Sequence, residues 1–464
     1  MKKRILIPIS FSFSIRYLVR SELIYKLKEF CTPVVVLTWE EKNLIKELIA
    51  NNIEVHVVEE SKRGFDYSDI RRKIDYWFWH YKLKSPTRFI EIKYLQQFVA
   101  KRFLFINKLR EFYNKQILRF NYFKRNVFEL EEKLLIEDSN YLKIEKIVLD
   151  LKIDAVFSIT PFHKQEEFLL RAAYRLGKQM ITSILSFDNI VKRGWIPVPF
   201  STYMVWNQKM KQELLRIYHE SANVNNIFVT GAVQFDFYTQ PEKFLIPKEQ
   251  WLHLIGINEP NRKIILYAGG PKSLFPQEYQ FLQHIDSAIS EGKIKGNPIV
   301  LFRCHPVDNV ERWKEAVQNS KNIFFEKSWT GTEKLIYTGI SHNDIAKLFS
   351  TLKHTDVHIN VASTMAVDGS AFSKPQIGPA YDEIYNHPKY NLASMYLQEH
   401  FSPILNSGGL FLAYNRQELI DLINKALEHP EKFNTHSDNL LKSVITFTDG
   451  KATDRVVEVL KNVL

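Results

Sequence analysis

Cysteine is nearly absent from this 464-residue chain: Cys31 and Cys304 stand far apart, in neither a zinc-binding nor a disulfide-forming spacing. That scarcity argues against a disulfide scaffold and points to a reducing, cytoplasmic compartment. Long hydrophobic runs are missing too; no stretch reaches the ~20 uncharged apolar residues of a membrane span. The opening MKKRILIPISFSFSIRYLV has the basic-then-apolar look of a signal peptide. Ser10, Ser12, Ser14 and Arg16 interrupt it, and no small-residue cleavage site follows, so it reads as a buried strand, Ile5–Ser10, and a loop. Neither Gly-x-Gly-x-x-Gly nor Gly-x4-Gly-Lys-Ser/Thr occurs, which takes support from dinucleotide-oxidoreductase and P-loop readings. There is no internal repeat and no low-complexity tract.

What is present is a globular composition, 45% apolar, in a chain too long for one ordinary core. Two domains are therefore expected. The formal charge of +11 calls for an anionic partner: nucleic acid, a membrane surface or a phosphorylated substrate. Short β-branched runs alternate with helical patterns: RILIPIS, PVVVLT (33–38) and IEVHVVEE (53–60), then DAVFSIT (154–160), KQMITSI (178–184), TYMVWN (202–207) and NIFVTG (226–231). A proline-bearing connection, AVQFDFYTQPEKFLIP, precedes a second series: KIILYAGG (263–270), PIVLFRCHP (298–306), NIFFEK (322–327), DVHINV (356–361), KPQIGP (374–379) and LFLAY (410–414). Such runs separated by helices predict parallel sheets covered on both faces. Ligands of such sheets bind beyond the carboxyl ends of the strands, so the site is expected between the two domains.

Three strand ends of the second series carry anion-friendly chemistry. After DVHINVA, Ser363 and Thr364 open a helical stretch, where unbonded N–H groups favour a phosphate; ordinary N-capping uses the same residues. LFRCHP delivers Arg303 and His305 at alternate positions before Pro306 breaks the strand, and the same residues suit a solvated loop with a structural histidine. YAGGPKS offers Gly269 and Gly270, which let backbone approach a ligand, and the cation Lys272; turns use Gly-Gly equally well. In the first series, SFDN places Asp188 at a strand end as a general base, or as the centre of an Asx-turn. His163, in ITPFHKQEEF with Glu166 and Glu167, is a rival base or a loop cap, and Asp236 reads as structural.

The order YAGG, RCHPVD, SHNDIAKLFSTLKHTDVHINVASTMAVDGSAFSKPQI and DGKATDRVVEVL resembles the GT-B glycosyltransferases of bacterial surface-polysaccharide (capsule, O-antigen) assembly, together with the related CDP-glycerol glycerophosphotransferases. SILSFDN, VWN and VTGAVQFD resemble a matching segment of related transferases. The resemblance implies an α/β GT-B fold of two Rossmann-like parallel-sheet domains facing a cleft. Residues 1–238 would form the acceptor domain, 239–446 the nucleotide-donor domain, and 447–464 a helix returning to the first. It implies that His305-Pro306 and Ser363-Thr364 hold the nucleotide's phosphates; the strand-end chemistry adds Gly269, Gly270, Lys272 and Arg303 to them, and position alone, after GPAY, places Asp382 or Glu383 at the sugar or ribose. Asp-x-Asp, the metal signature of the other large glycosyltransferase fold, is absent, so no metal and no cofactor are expected and side chains would neutralise the leaving group. Glu326 and Glu333 miss the Glu-x7-Glu spacing of many retaining enzymes, which favours inversion. The function implied is transfer from a nucleotide-activated sugar to a glycan or polyprenyl-linked acceptor. Alternatives are a CDP-glycerol-type phosphotransferase, a nucleotide-sugar epimerase, and a noncatalytic lipid- or glycan-binding protein.

Residues 66–137 interrupt the strand rhythm with helix-permissive sequence. Between 71 and 135 there are 16 Lys/Arg and 6 Asp/Glu, a balance of +10. Aromatics recur throughout, as in DYWFWHYKLK. Such helices lie at an anionic membrane interface, making the protein peripheral to a membrane, or pack their aromatics as core. No nucleic-acid module is recognisable, and nucleic acid is not an expected partner.

Overall fold

The structure, a computed structural model, describes residues 2–58, 63–98, 101–318, 320–326, 328, 339–383 and 389–464. Residues 59–60 and 327 of the expected strands, and Glu333, lie outside them. The chain divides into two compact units: residues 1–88, 99–233 and 451–464 form the first, residues 89–98 and 234–450 the second.

The first unit is built on a seven-stranded parallel sheet, ordered β3-β2-β1-β4-β5-β6-β7. Its strands are β1 (Arg4–Ile9), β2 (Thr32–Leu37), β3 (Glu54–Val57), β4 (Ala155–Ser158), β5 (Gln179–Ser183), β6 (Thr202–Val205) and β7 (Ile227–Val229). β1 and β2 are buried from their second residue onward, as expected of strands with helices on both faces. The second unit carries six parallel strands, ordered β10-β9-β8-β11-β12-β13. These are β8 (Ile264–Ala268), β9 (Ile299–Arg303), β10 (Ile323–Glu326), β11 (Val357–Asn360), β12 (Gln376–Pro379) and β13 (Leu410–Ala413). Both orders run outward from the first strand in one direction, then return and run outward in the other, as in Rossmann-like sheets. The reversal falls between β1 and β4 in the first unit and between β8 and β11 in the second.

The basic insert is helical: Phe65–Trp77, Pro86–Leu95, Lys101–Arg119 and Asn121–Glu137. It is anchored by a buried ion network. Arg71 on the first of these helices meets Glu131 on the last at 3.0 Å and Glu167, on the helix Glu167–Arg175 that follows β4, at 2.9 Å. Tyr67 donates to Glu167 at 2.6 Å, and Arg63 and Arg171 close on the same carboxylates. Burial pushes the Glu167 carboxyl up, but Arg71, Arg63 and Arg171 outweigh it and hold the group below its ordinary range.

The units divide at 233/234 and 450/451, against the expected 238/239 and 446/447, and one segment of the insert changes unit. The segment 89–98 leaves the insert and packs Tyr94, Ile90, Leu95 and Phe98 into the hydrophobic core of the second unit, the core that also holds Phe281 and Tyr381. The helix Ala452–Val463 belongs to the first unit, where the Val463 carbonyl accepts from Gln179 at 2.8 Å and Asp454 pairs with Lys26. Among the described residues no helix is long and apolar enough to cross a membrane. Both cysteine thiols are buried, and burial pushes each up to about 12.

Candidate functional site

In the second unit the register fixes which turns are neighbours. Ala268 on β8 is opposite Arg303 on β9 and Asn360 on β11. Strands stand about 4.8 Å apart. The turns that follow, 269–272, 304–306 and 361–364, therefore lie side by side at the point where the strand order reverses, where open α/β sheets take their ligands.

The Gly-Gly turn is shaped from within. A Cβ on Gly269 would stand 3.0 Å from Phe302, and one on Gly270 2.6 Å from Phe275. The Gly270 N–H donates to Glu278 at 2.8 Å, and Tyr267 reaches the same buried carboxyl at 3.3 Å. Burial pushes Glu278 up to about 8 against that N–H bond. The glycines thus answer to packing beneath the turn, while Lys272, just beyond, is exposed.

Arg303 and His305, expected on one side, have different surroundings. Arg303 is buried, its guanidinium donating to Glu326 on β10 at 2.6 Å and to the Ser328 carbonyl at 2.9 Å. Its charge is met inside the sheet. His305 is half-buried at the strand end, and its Nδ1 accepts from the Val307 N–H at 3.2 Å. In a neutral ring that places the proton on Nε2. Pro306 occupies the second position of a turn closed by the Asp308 N–H on the His305 carbonyl at 2.9 Å.

Ser363 and Thr364 open a helix of six residues, Met365–Ser370. Ser363 Oγ accepts from the Met365 N–H at 3.3 Å, so this hydroxyl is a local cap. Thr364 is exposed and its side chain makes no capping bond. The turn enters through Ala362 at φ +40°, a left-handed conformation that an alanine adopts only under strain. The short helix is pressed onto the sheet at Gly369, where a Cβ would stand 2.3 Å from His358 and from Gln376. Burial lowers His358 to about 3. Beside it at the end of β11, Asn360 is buried, and among the described residues neither of its amide atoms has a hydrogen-bond partner, a feature that nothing in the sequence signals.

Asp382 and Glu383 follow β12. Asp382 accepts from the Leu392 N–H at 2.6 Å and from the Tyr94 hydroxyl, and burial pushes its carboxyl up. Glu383 meets His284 Nε2 at 3.1 Å, while His284 Nδ1 bonds Tyr381 at 2.9 Å. These partners tie Asp382 to the inserted segment 89–98 and Glu383 to the helix Tyr279–Ser290.

In the first unit, the turns after β1 and β4 converge on a residue that the sequence reading gave no role. Glu166 is fully buried and accepts from Ser10 and Ser158, each at 2.7 Å, and from Thr160. Burial pushes it up to about 7 against these bonds. Its signal is visible in retrospect: hydroxyls close the expected strands PIS and FSIT, and an acid follows one of them. His163 stacks on Phe11, 4.6 Å between ring centres, and burial, with Arg193 and Lys164, lowers it to about 4. It is a neutral and weakly basic imidazole. Asp188 begins the short helix Asn189–Lys192 after β5, with Asn189 Nδ2 donating to it at 3.1 Å, a bond between two side chains and not the side-chain-to-backbone bond of an Asx-turn. A cavity of about 380 Å³ opens beside Gln179, Ser201 and Asn226, at the amino ends of β5, β6 and β7, the opposite edge of the sheet from these groups. Asp236 lines a smaller cavity of about 180 Å³ in the second unit with Tyr238 and Phe447. Among the described residues, no group of three His, Cys, Asp or Glu is placed to hold a metal ion.

No protein-family model and no curated protein matches the sequence. Solved structures match over the whole chain. The UDP-GlcNAc 2-epimerase of Neisseria meningitidis, bound to UDP-GlcNAc, is 13% identical over 99% of this chain and 100% of its own, with a TM-score of 0.56. The UDP-GlcNAc 2-epimerase of Methanocaldococcus jannaschii is 14% identical over 99% of each chain, TM-score 0.56. Anabaena Alr3699/HepE, in complex with UDP, is 12% identical over all of both chains, TM-score 0.51. At these identities the likeness is one of fold: two Rossmann-like parallel-sheet units of the GT-B kind.

Proposed function

We propose that the chain is an enzyme acting on a nucleotide-activated sugar, with the nucleotide diphosphate seated on the strand ends of the second unit. The observation that carries this reading is the alignment of Lys272, His305, Ser363 and Thr364 on three adjoining turns at the strand-order reversal. An exposed ammonium, an imidazole and two hydroxyls are suited to neutralise a diphosphate as it departs. Arg303 is left out of that set because Glu326 takes its charge. Neighbours of the same fold described with UDP or UDP-GlcNAc support the ligand class. Asp188 is the favoured base in the first unit. His163 is second, since burial has made its imidazole a poor proton acceptor.

Two fates of the sugar are open to this chemistry. Epimerisation comes first, because UDP-GlcNAc 2-epimerases share the fold along the full chain. Transfer to a glycan or lipid-linked hydroxyl is the second reading, favoured by the basic, aromatic insert, where an acceptor in an anionic surface would be met.

The test incubates the protein with UDP-GlcNAc, other nucleotide sugars and CDP-glycerol, without and then with a polyprenyl-linked acceptor, and follows products by NMR. A new epimer without acceptor supports the first reading. Nucleotide release only with acceptor supports the second. Release from CDP-glycerol alone would replace both. A stability screen with CMP, CDP, UDP, GDP and dTDP accompanies it, since a ligand of the native state raises the melting temperature. No shift with any nucleotide would overturn the proposal.

A further inference from the structure

The helix Lys101–Arg119 presents a face that the enzyme reading does not use. Phe105, Ile106, Leu109, Phe112 and Tyr113 are 66, 61, 54, 63 and 62% exposed. At 3.6 residues per turn these five positions fall within a stripe of about 120°. The helix is held by its other side. Leu118 is buried, and the Tyr76 hydroxyl donates to the Glu111 carbonyl at 2.9 Å. Those two positions lie on the far side of the same helical wheel.

Apolar side chains left outward on an anchored helix need a cover, and the surrounding charge identifies it. Residues 101–125 contain eight Lys/Arg and one acid, Glu111, a balance of +7. A second copy of this chain would bring the same positive charge against it. A lipid surface carrying negative headgroups would complement it while accepting phenyl, branched aliphatic and phenol groups at the acyl boundary. A helix of 19 residues bearing this much charge lies in such an interface and does not cross it.

We infer that the 101–119 helix docks the protein flat on an anionic membrane through the Phe105–Tyr113 stripe. This holds whichever reaction the second unit performs.

The test is co-sedimentation of the full chain with phosphatidylcholine vesicles, with and without phosphatidylglycerol. Binding is expected only with phosphatidylglycerol and weakens as salt screens the charge. The double variant Phe105→Ser, Phe112→Ser should lose binding about tenfold or more. The charge variant Arg119→Gln, Arg125→Gln should lose it by a similar factor and flatten the salt dependence. Because Phe105, Phe112, Arg119 and Arg125 are exposed, far-UV spectra and melting temperature should stay at wild-type values, separating lost docking from lost folding. Equal binding to neutral vesicles, or undiminished binding by both variants, would overturn the inference. So would a dimer, seen by sedimentation velocity, that the Phe105/Phe112 variant disperses while wild type ignores vesicles.

Discussion

Arg303 and Glu326 sit directly opposite each other on β9 and β10 and form a buried ion pair at 2.6 Å. Thr351 adds a hydroxyl to the same carboxylate oxygen at 3.3 Å. Removing one partner of such a pair strands a charge in the interior, which costs about 3–5 kcal/mol. Arg303→Ala should therefore lower the unfolding free energy by that order in a denaturant titration. Lys272→Ala and His305→Ala should leave stability within about 0.5 kcal/mol and weaken nucleotide binding by about tenfold or more. A stable Arg303→Ala protein that binds nucleotide poorly would return the guanidinium to the ligand.

Two small residues beside the Ser363 turn should respond in opposite directions. Ala362 is left-handed at φ +40°, so Ala362→Gly relieves strain, partly offset by extra freedom of the unfolded chain, for a gain of about 0.5 kcal/mol. Gly369→Ala drives a methyl to 2.3 Å from His358 and should cost about 1–3 kcal/mol. Paired chemical-denaturation curves check both.

Glu166 and Glu278 should make the protein less stable as pH rises. Their folded values, about 7 and about 8, lie above the ordinary 4.5. Between those limits the unfolded chain has released protons that the native protein still holds. Their contribution is complete below 4.5 and is lost as pH climbs through 7 and 8. Comparing Glu166→Gln with wild type across that range isolates the first group. The difference in unfolding free energy should shift in favour of the variant with rising pH, by up to about 3 kcal/mol. A pH-independent difference would mean that Glu166 is ionised throughout.

The buried network around Glu167 predicts how the insert is held. Glu167→Gln removes the charge that Arg63, Arg71 and Arg171 share, and should cost about 3 kcal/mol or more. Protease sensitivity should rise first in the helices Phe65–Trp77 and Asn121–Glu137, and peptide mapping of early cleavage products reads it.

The strands and their ends were legible because β-branched runs bounded by turn residues are a local signal, while the order in which they pair was not. VFS, VVVL and IVLF needed no distant partner to declare themselves. Arg303 was not legible in the same way. Its role depends on Glu326, one strand over, and sequence alternation tells which face a side chain takes but not what waits there. Glu166 escaped for a related reason, since three hydroxyls from two strands give it meaning only once β1 and β4 are paired. Asp382 looked like a ligand for sugar because Tyr94, its partner, lies almost 300 positions away by numbering.

The excursion of residues 89–98 has a practical corollary for anyone wishing to cut the protein in two. A half-molecule starting near residue 234 would open a hydrophobic socket where Tyr94 belongs and deprive Asp382 of a donor. Its counterpart, ended there, would lack the terminal helix that meets Gln179. Dissection would succeed only by grafting the ten-residue piece onto one fragment and the last fourteen residues onto the other.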